Sequence, residues 1–175
     1  HVILTISTGT VLESIVRQAE ALLEGDIVVL QLLRPDGLLE LAQHSLNTPA
    51  AWRNNLRLVR ADQGIAGYAI ERDQLGVTTN YSQHERAIPA LVAAGMSASV
   101  SAPVRRRDDV VGALSVSSTE PGRTFSGNEI ETLLLLAGYA SVALTDALII
   151  DQRQKALEEA EWQATHDPLT GLANR

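Results

Sequence analysis

A helical segment of about forty residues near the C-terminal end constrains this chain more than any other feature. Ser126 and Glu129 have the spacing of a capping box, which predicts a helix start at this point. Between this box and His166 there is no proline and only one glycine, Gly138. Such a helix extends for about 60 Å at 1.5 Å per residue, more than one domain needs for its own packing.

The first part of this predicted helix is strongly apolar. Residues 133–150 contain one charged side chain, Asp146, and are long enough to span a bilayer. Because the segment follows a capping box and contains polar positions, we expect a helix wedged between its own sheet and a partner subunit, with no membrane span. The acidic surplus over residues 146–167 is typical of a solvated helix or linker.

A four-three spacing of small and aliphatic side chains runs along the same segment. This spacing predicts a parallel two-helix coiled coil and therefore a homodimer. Two positions of the predicted seam, Gln154 and Glu161, are polar, so the seam is imperfect. The alternative is an ordinary amphipathic surface helix. The predicted dimer and linker positions are Leu136, Ala140, Ala143, Ala147, Ile150 and Leu157.

Composition excludes several classes of function. The chain has 175 residues, 45% of them apolar, and a net charge of −7 with few aromatic residues, so no nucleic-acid partner is expected. The absence of cysteine excludes disulfides, thiolate metal sites, cysteine nucleophiles and thioether-linked chromophores. No histidine has a partner at metal-ligand spacing, so no metal site is expected. A lone loop histidine such as His84 is more often a surface residue than an iron ligand, and haem is not expected.

No nucleotide-binding loop and no serine-nucleophile motif occurs, so we expect no catalytic residue in this segment. The chain starts without a secretory signal, which indicates a cytoplasmic fragment of a longer protein.

Periodicity and turn residues predict the elements ahead of the long helix. A proline-aspartate-glycine turn at residues 35–37 joins the first two strands, and a charged tip at residues 105–109 joins the last two. The predicted elements are a helix over 8–24, strands over 27–33 and 38–44, a loop with one helical turn over 45–55, a helix over 64–71, a strand over 76–80, a helix over 85–95, and strands over 97–104 and 110–117.

The last ten residues resemble the opening motif of the GGDEF family of diguanylate cyclases. The pattern D-x-L-T-G-L-x-N-R is matched at every fixed position from Asp167 to Arg175. The resemblance implies that the full protein makes cyclic di-GMP from two GTP. It does not tell whether the full protein also has an EAL-type phosphodiesterase domain. The family's metal and guanine ligands lie downstream, so the matched residues are structural by resemblance: Asp167, Leu169, Thr170, Gly171, Asn174 and Arg175.

Residues 8–150 resemble the GAF family in the order of their elements and in several short segments. These segments are residues 64–67, 102–104, 111–116 and 125–126. The resemblance implies an α+β fold, with a central antiparallel sheet of about six strands, helices on both sides and a long C-terminal signalling helix. The chain then divides into a GAF-like domain over 1–150, a helical coiled-coil linker over 151–166 and the start of a GGDEF domain over 167–175.

The GAF resemblance also implies a small-molecule pocket beside the sheet. Without cysteine the chain cannot hold a covalent bilin, and the signature of the cyclic-nucleotide-binding members is missing, so the ligand stays unknown. A collapsed core without a ligand is the alternative. The candidate lining residues are Gly64, Gly67, Tyr68, Asn80, Tyr81, His84, Arg86, Met96 and Ser115.

These features predict a regulatory sensor module. The state of a ligand or partner would pass through a dimeric helix to a cyclase domain in the same chain. The alternative is a dimerisation module without a ligand, which raises the effective concentration of one cyclase domain near the other.

Overall fold

A computed structural model describes residues 6–23, 26–166, 169–170 and 172–173. Six strands form one sheet in the order β3-β2-β1-β6-β5-β4, and every neighbouring pair is antiparallel. The elements are α1 Ile6–Leu22, β1 Ile27–Leu33, β2 Leu38–His44, α2 Ala50–Leu56, β3 Leu58–Arg60, α3 Gly64–Arg72, β4 Gly76–Thr78, a 3₁₀ turn Tyr81–Gln83, α4 Pro89–Ala93, β5 Ala98–Arg106, β6 Asp109–Ser118 and α5 Gly127–Thr165.

The two faces of the sheet differ in chemistry because side chains alternate along each strand. On one face, Val100 and Ala102 of β5 and Leu114 and Val116 of β6 pack against α1 and α5, and all four are at most 2% exposed. Side chains from α2, the α3 helix and α4 cover the other face. The predicted α+β architecture with helices on both sides is therefore confirmed.

Most predicted elements occur close to their expected positions, and the exceptions have local causes. The helix expected over 85–95 is limited to Pro89–Ala93. Residues before it are held as a loop, because the Arg86 carbonyl accepts the Gly64 amide and the Ile88 amide donates to the Tyr81 hydroxyl. Strand β3 was not predicted, since its three residues are too few to show periodicity. The expected end of the first helix at Glu24 lies outside the described residues.

Helix α5 is 39 residues long, and the predicted capping box at its start is confirmed. The Glu129 amide donates to the Ser126 hydroxyl, and the Ser126 amide donates to the Glu129 carboxylate. Arg123 joins this helix start to the sheet, because its guanidinium contacts both Glu129 and Asp26, next to β1. Hydrogen bonding from Arg123 lowers the pKa of Glu129 from 4.5 to about 2.

The structure corrects the predicted dimer seam. Leu136 and Ala140 are at most 3% exposed within the domain's own core, so a partner helix cannot contact them without opening that core. Ala147 is 8% exposed and lines a surface groove between α1 and α5. Ala143 is partly buried against the same core. Ile150 and Leu157 are about 60% exposed and remain available to a partner. Sequence spacing alone could not separate positions that face the sheet from positions that face outwards.

The contacts of Glu129 predict a loss of stability in acid. Because its pKa in the folded state lies below that of the unfolded chain, its contribution is complete above about pH 4.5 and is lost as the pH falls towards 2. We expect Glu129→Gln to be less stable than the parent at pH 6, with a smaller difference at pH 3. Urea unfolding at both pH values measures this, with exposed Glu131→Gln as the control. A Glu129→Gln deficit that is equal at both pH values would contradict the assignment.

Candidate ligand-binding site

Two cross-strand serine pairs lie at the centre of the sheet, on the face opposite α5. Ser99 faces Ser117 and Ser101 faces Ser115 in the register of β5 and β6. The hydroxyl oxygens are 2.8 Å apart in the first pair and 2.6 Å in the second, and all four residues are at most 4% exposed. These hydroxyls form a polar strip under a layer of apolar side chains.

The strip forms the floor of a small cavity between the sheet and the helices on this face. Trp52 and Leu56 of α2, Ile65 of α3, Leu91 of α4 and nearby Met96 provide apolar walls. The cavity volume is about 30 Å³, which is enough for one or two water molecules. The pocket is therefore closed in this state of the protein.

Side chains at the rim fix the position of the helices that close the cavity. The Trp52 indole donates from Nε1 to the Ala94 carbonyl at 3.0 Å, which ties α2 to the end of α4. The side-chain amide of Gln31 donates to the Leu56 carbonyl at 3.4 Å. The same residues would have to move for the cavity to enlarge.

Tyr81 adds a buried hydroxyl at the edge of the cavity. It is 2% exposed, and its hydroxyl oxygen accepts a hydrogen bond from the Ile88 amide at 3.0 Å. Burial raises the pKa of the Tyr81 phenol above its ordinary value, so the group is neutral at physiological pH. Among the described residues that line the cavity, none is charged. The site is thus suited to an uncharged molecule.

Four of the predicted pocket residues line this cavity: Gly64, Tyr81, Met96 and Ser115. Gly64 has a φ of +72°, a conformation that favours glycine. The other five predicted residues lie outside the cavity lining: Gly67, Tyr68, Asn80, His84 and Arg86.

Gly67 has a packing role. A Cβ atom at this position would lie 2.5 Å from the Ala61 carbonyl oxygen, so only glycine lets α3 approach the preceding turn this closely. Asn80 is exposed, and its side-chain oxygen accepts a hydrogen bond from the Ser82 hydroxyl within the same turn.

Tyr68, His84 and Arg86 instead form a structural cluster beside the cavity. Arg86 makes a 2.6 Å salt bridge with Glu71, and its guanidinium carbon lies 5.7 Å from the centre of the Tyr68 ring. The His84 ring stands edge-on to Tyr68, with centroids 6.1 Å apart. His84 Nδ1 accepts the Arg86 amide at 3.1 Å. These contacts hold the loop before α4, and no three metal-ligating side chains converge anywhere in the described part of the chain.

The sequence-based prediction missed Ser99, Ser101 and Ser117. A usable signal was present, since serine occupies the alternate positions 99 and 101 of β5 and 115 and 117 of β6. Alternation predicts that such serines share one face of the sheet. It does not tell whether that face is solvated or covered by helices.

The fold places this cavity between a six-stranded antiparallel sheet and the helices that cover one of its faces. The profile of the GAF domain family matches residues 7–144, so the chain belongs to the GAF domain family. The predicted GAF resemblance is therefore confirmed. The sequence matches none of the curated proteins with which it was compared.

Solved GAF structures share the fold at low sequence identity. The GAF domain of an Acinetobacter phosphoenolpyruvate-protein phosphotransferase is 21% identical, with a TM-score of 0.68 over 85% of this chain and 88% of that chain. The GAF domain of PixJ from Thermosynechococcus elongatus, in its blue-light absorbing form, is 17% identical, with a TM-score of 0.70 over 90% and 98%. A GAF domain/HD domain protein from Geobacter sulfurreducens is 15% identical, with a TM-score of 0.70 over 81% and 94%.

The GGDEF resemblance stays a prediction. The matched profile ends at residue 144, before the motif begins. Of the motif residues, Asp167, Gly171, Asn174 and Arg175 lie outside the described residues, while Leu169 and Thr170 are exposed.

The serine pairs predict a non-additive mutational effect. Ser115→Ala leaves the buried Ser101 hydroxyl without its partner, so we expect a loss of about 1–3 kcal/mol in unfolding free energy. Removing both hydroxyls in Ser101→Ala/Ser115→Ala should restore most of that loss. Urea unfolding of the two single variants, the double variant and the parent measures the coupling. Additive losses would contradict a paired strip.

The close approach at Gly67 predicts a steric effect. Gly67→Ala forces a methyl group against the backbone at Ala61, so we expect a loss of about 1–3 kcal/mol in unfolding free energy. The matched control is Gly9→Ala in α1, where nothing lies within 4 Å of the added Cβ. Because alanine is the better helix former, this control should be at least as stable as the parent. Equal stability of the two variants would contradict the packing role.

Proposed function

We propose that the chain is the sensory module of a cytoplasmic cyclic di-GMP signalling protein. An uncharged small molecule binds over the serine strip, and α5 relays its presence to a diguanylate cyclase domain of the same chain. The observation that carries this proposal is the pairing of four buried serines on the cavity floor. In this proposal the chain itself acts as a regulator.

The cost of burying hydroxyl groups supports a binding role for the strip. On the opposite face of the same strands, the positions adjacent to the serine pairs are aliphatic: Val100, Ala102, Leu114 and Val116. Alanine or valine on the cavity side would pack equally well. Hydroxyl groups that are removed from water contribute to the stability of the fold only if they are hydrogen-bonded. The serines exchange their mutual hydrogen bonds for bonds to a ligand at little cost.

Ligand entry requires the cavity to enlarge from its volume of about 30 Å³. The covering helices are short: α2 has seven residues and α4 has five. Neither has a side-chain cap at its N-terminus. In the proposed mechanism these two helices move away from the sheet when the ligand binds, and the ligand selects that open state.

A direct route from the strip to α5 supports the relay. Ser101 and Ser115 belong to the β5–β6 hairpin, whose tip contacts α5 through backbone hydrogen bonds. The Arg105 amide donates to the Ser141 hydroxyl at 2.8 Å, and the Arg107 amide donates to the Thr145 hydroxyl at 3.0 Å. A shift of the hairpin on ligand binding is therefore transmitted to two successive turns of α5.

The assignment of the output rests on the C-terminal motif. Cyclic di-GMP synthesis joins two GTP molecules, so two cyclase domains must meet, and a homodimer of this module provides that arrangement. The helix reaches Thr165 and leads directly into the GGDEF-like residues.

A second function is favoured by the small size of the cavity. With a volume of about 30 Å³, the module could act without a ligand and simply hold two cyclase domains together. The two functions differ in one measurable property, which is the dependence of activity on a small molecule.

Cyclic di-GMP production from GTP by the full-length protein tests the proposal. We expect activity to change with at least one compound from a panel of uncharged nucleobases, polyols and indoles. Ser101→Val/Ser115→Val fills the cavity and should abolish the response, while the exposed control Ser82→Val should retain it. Activity without any response, and unchanged when an unrelated dimerising helix replaces residues 1–150, would favour the second function. No product under any condition would contradict the cyclase assignment.

A further inference from the structure

The serine strip carries more hydroxyl hydrogens than its own hydrogen bonds use. Each pair is joined by one hydrogen bond, between Ser99 and Ser117 at 2.8 Å and between Ser101 and Ser115 at 2.6 Å. A hydroxyl group has one hydrogen to donate, so one hydroxyl of each pair donates to its neighbour and the other keeps its hydrogen. Within the described part of the chain, the four hydroxyls make no other hydrogen bond. The strip therefore has two O–H donors to spare.

Tyr81 contributes a third spare donor at one end of the strip. Its backbone amide donates to the Ser97 carbonyl at 2.8 Å, two residues before Ser99. Its hydroxyl oxygen accepts from the Ile88 amide, and no described residue accepts the phenol hydrogen in return. Because the side chain is 2% exposed and lines the cavity, bulk water does not satisfy this hydrogen either.

Gln31 provides an acceptor at the other end of the strip. It lies on β1, where Val29 pairs with Ser115 and Gln31 is the next residue on the same face. Its side-chain nitrogen donates to the Leu56 carbonyl, and no described residue donates to its side-chain oxygen. Along the strip, the lining therefore offers three O–H donors and one carbonyl acceptor, all on uncharged side chains.

We propose that the ligand bound over the serine strip is a neutral cyclic amide with two carbonyl oxygens on opposite sides of its ring. This inference rests on the proposed function, because it names the class of molecule that the same cavity takes. The two carbonyl oxygens accept from the two serine pairs, and a ring N–H donates to the side-chain oxygen of Gln31. Cyclic dipeptides have this arrangement of groups.

The spacing of the serine pairs fits two carbonyl oxygens on one ring. Ser99 and Ser101 are two residues apart on β5, which separates them by about 6.7 Å along the strand. With C=O bonds of about 1.23 Å, oxygens on opposite sides of a six-membered ring are about 5.3 Å apart. Each oxygen then lies about 0.7 Å, measured along the strand, from the point above its serine pair. Both oxygens therefore accept hydrogen bonds of ordinary length at the same time.

The spare hydrogens select for a molecule that is rich in acceptors. A buried O–H group without an acceptor loses its bonds to water, and a lone pair without a donor costs less. An indole has one N–H donor and no oxygen, so it would leave the hydrogens of the strip unpaired. A polyol has a hydrogen on every oxygen, and the apolar walls give those hydrogens no acceptor. A carboxylate or phosphate accepts well, but an uncharged cavity does not compensate the loss of its hydration.

The walls above the strip select for an apolar group on the ring. Leu56, Leu91 and Met96 present aliphatic or thioether side chains to the cavity. Trp52 uses its indole N–H to bind the Ala94 carbonyl, so only the apolar faces of its ring are left for the ligand. A cyclic dipeptide with one aliphatic side chain, such as cyclo(Gly-Leu), therefore matches both the floor and the walls.

Isothermal titration calorimetry of the full-length protein with cyclo(Gly-Leu) tests the ligand class. The matched compounds are an isobutyl-substituted piperidin-2-one, which is a neutral ring of the same size with one carbonyl, and linear Gly-Leu, which is charged at both ends. We expect cyclo(Gly-Leu) to bind about 10-fold more tightly than the piperidinone, because the latter leaves one serine pair without an acceptor. Linear Gly-Leu should not bind. Equal affinities of the two rings, binding of the linear peptide, or no binding of cyclo(Gly-Leu) would overturn the proposal.

Serine variants separate recognition by hydrogen bonds from simple filling of the cavity. In Ser101→Ala or Ser115→Ala, the hydroxyl that remains is free to donate to the ligand, so each single variant should bind cyclo(Gly-Leu) at least as tightly as the parent. Ser101→Ala/Ser115→Ala removes the donor itself and should weaken binding about 10-fold. The exposed control Ser82→Ala should bind like the parent. A double variant that binds like the parent, or single variants that lose as much affinity as the double variant, would overturn the proposal.

Gln31→Met tests the amide group of the ligand. Methionine keeps an unbranched side chain but accepts hydrogen bonds only weakly, through its sulfur. We expect cyclo(Gly-Leu) to bind this variant about 10-fold more weakly than the parent, because the ring N–H loses its acceptor. Unchanged affinity would exclude the contact with Gln31 and overturn the assignment of a cyclic amide.

The panel of uncharged compounds separates failure of this inference from failure of the proposed function. If a polyol or an indole changes cyclic di-GMP production and cyclo(Gly-Leu) does not bind, the ligand class is wrong while the sensory function stands. If no compound binds or changes activity, the sensory function fails together with the ligand class. Binding of cyclo(Gly-Leu) to the parent, with the expected loss in the double serine variant, supports the ligand class even where no cyclase product forms.

Discussion

The alternation of serine and aliphatic side chains along β5 and β6 is the constraint on which the rest of this structure depends. Because the two strands pair in register, Ser101 meets Ser115 on one face while Ala102 meets Leu114 on the other. A shift of one residue would bury the hydroxyls under α5 and expose the aliphatic residues to the cavity. The same register therefore sets both the polar floor of the cavity and the apolar surface on which α5 packs.

Helix α5 is attached to the rest of the domain at two places. Its start is held by the capping box and by Arg123, which also reaches Asp26 next to β1. Its middle packs on the sheet and accepts hydrogen bonds from the β5–β6 tip through Ser141 and Thr145. The proposed relay depends on these two attachments, one at the start of the helix and one at its middle.

Much of the fold could be predicted from the sequence, but less than half of the site. The β5–β6 pair and the start of α5 follow from local patterns, and both are confirmed. In the site, Ser115 and Met96 were identified by their order along the chain, whereas His84 and Arg86 turned out to bind Tyr68 and Glu71 instead. Neighbours in sequence do not reveal which side of a loop faces a cavity.

The sequence by itself determined the type of each main element, the capped start of α5 and the exclusion of cysteine chemistry. These properties depend on backbone periodicity, turn residues and composition, which act over a few residues. Only the tertiary structure decided that Leu136 and Ala140 enter the core while Leu135 and Tyr139 point outwards. Adjacent positions on a uniformly apolar helix are chemically alike. Only packing against α1 and the sheet determines which of them become buried.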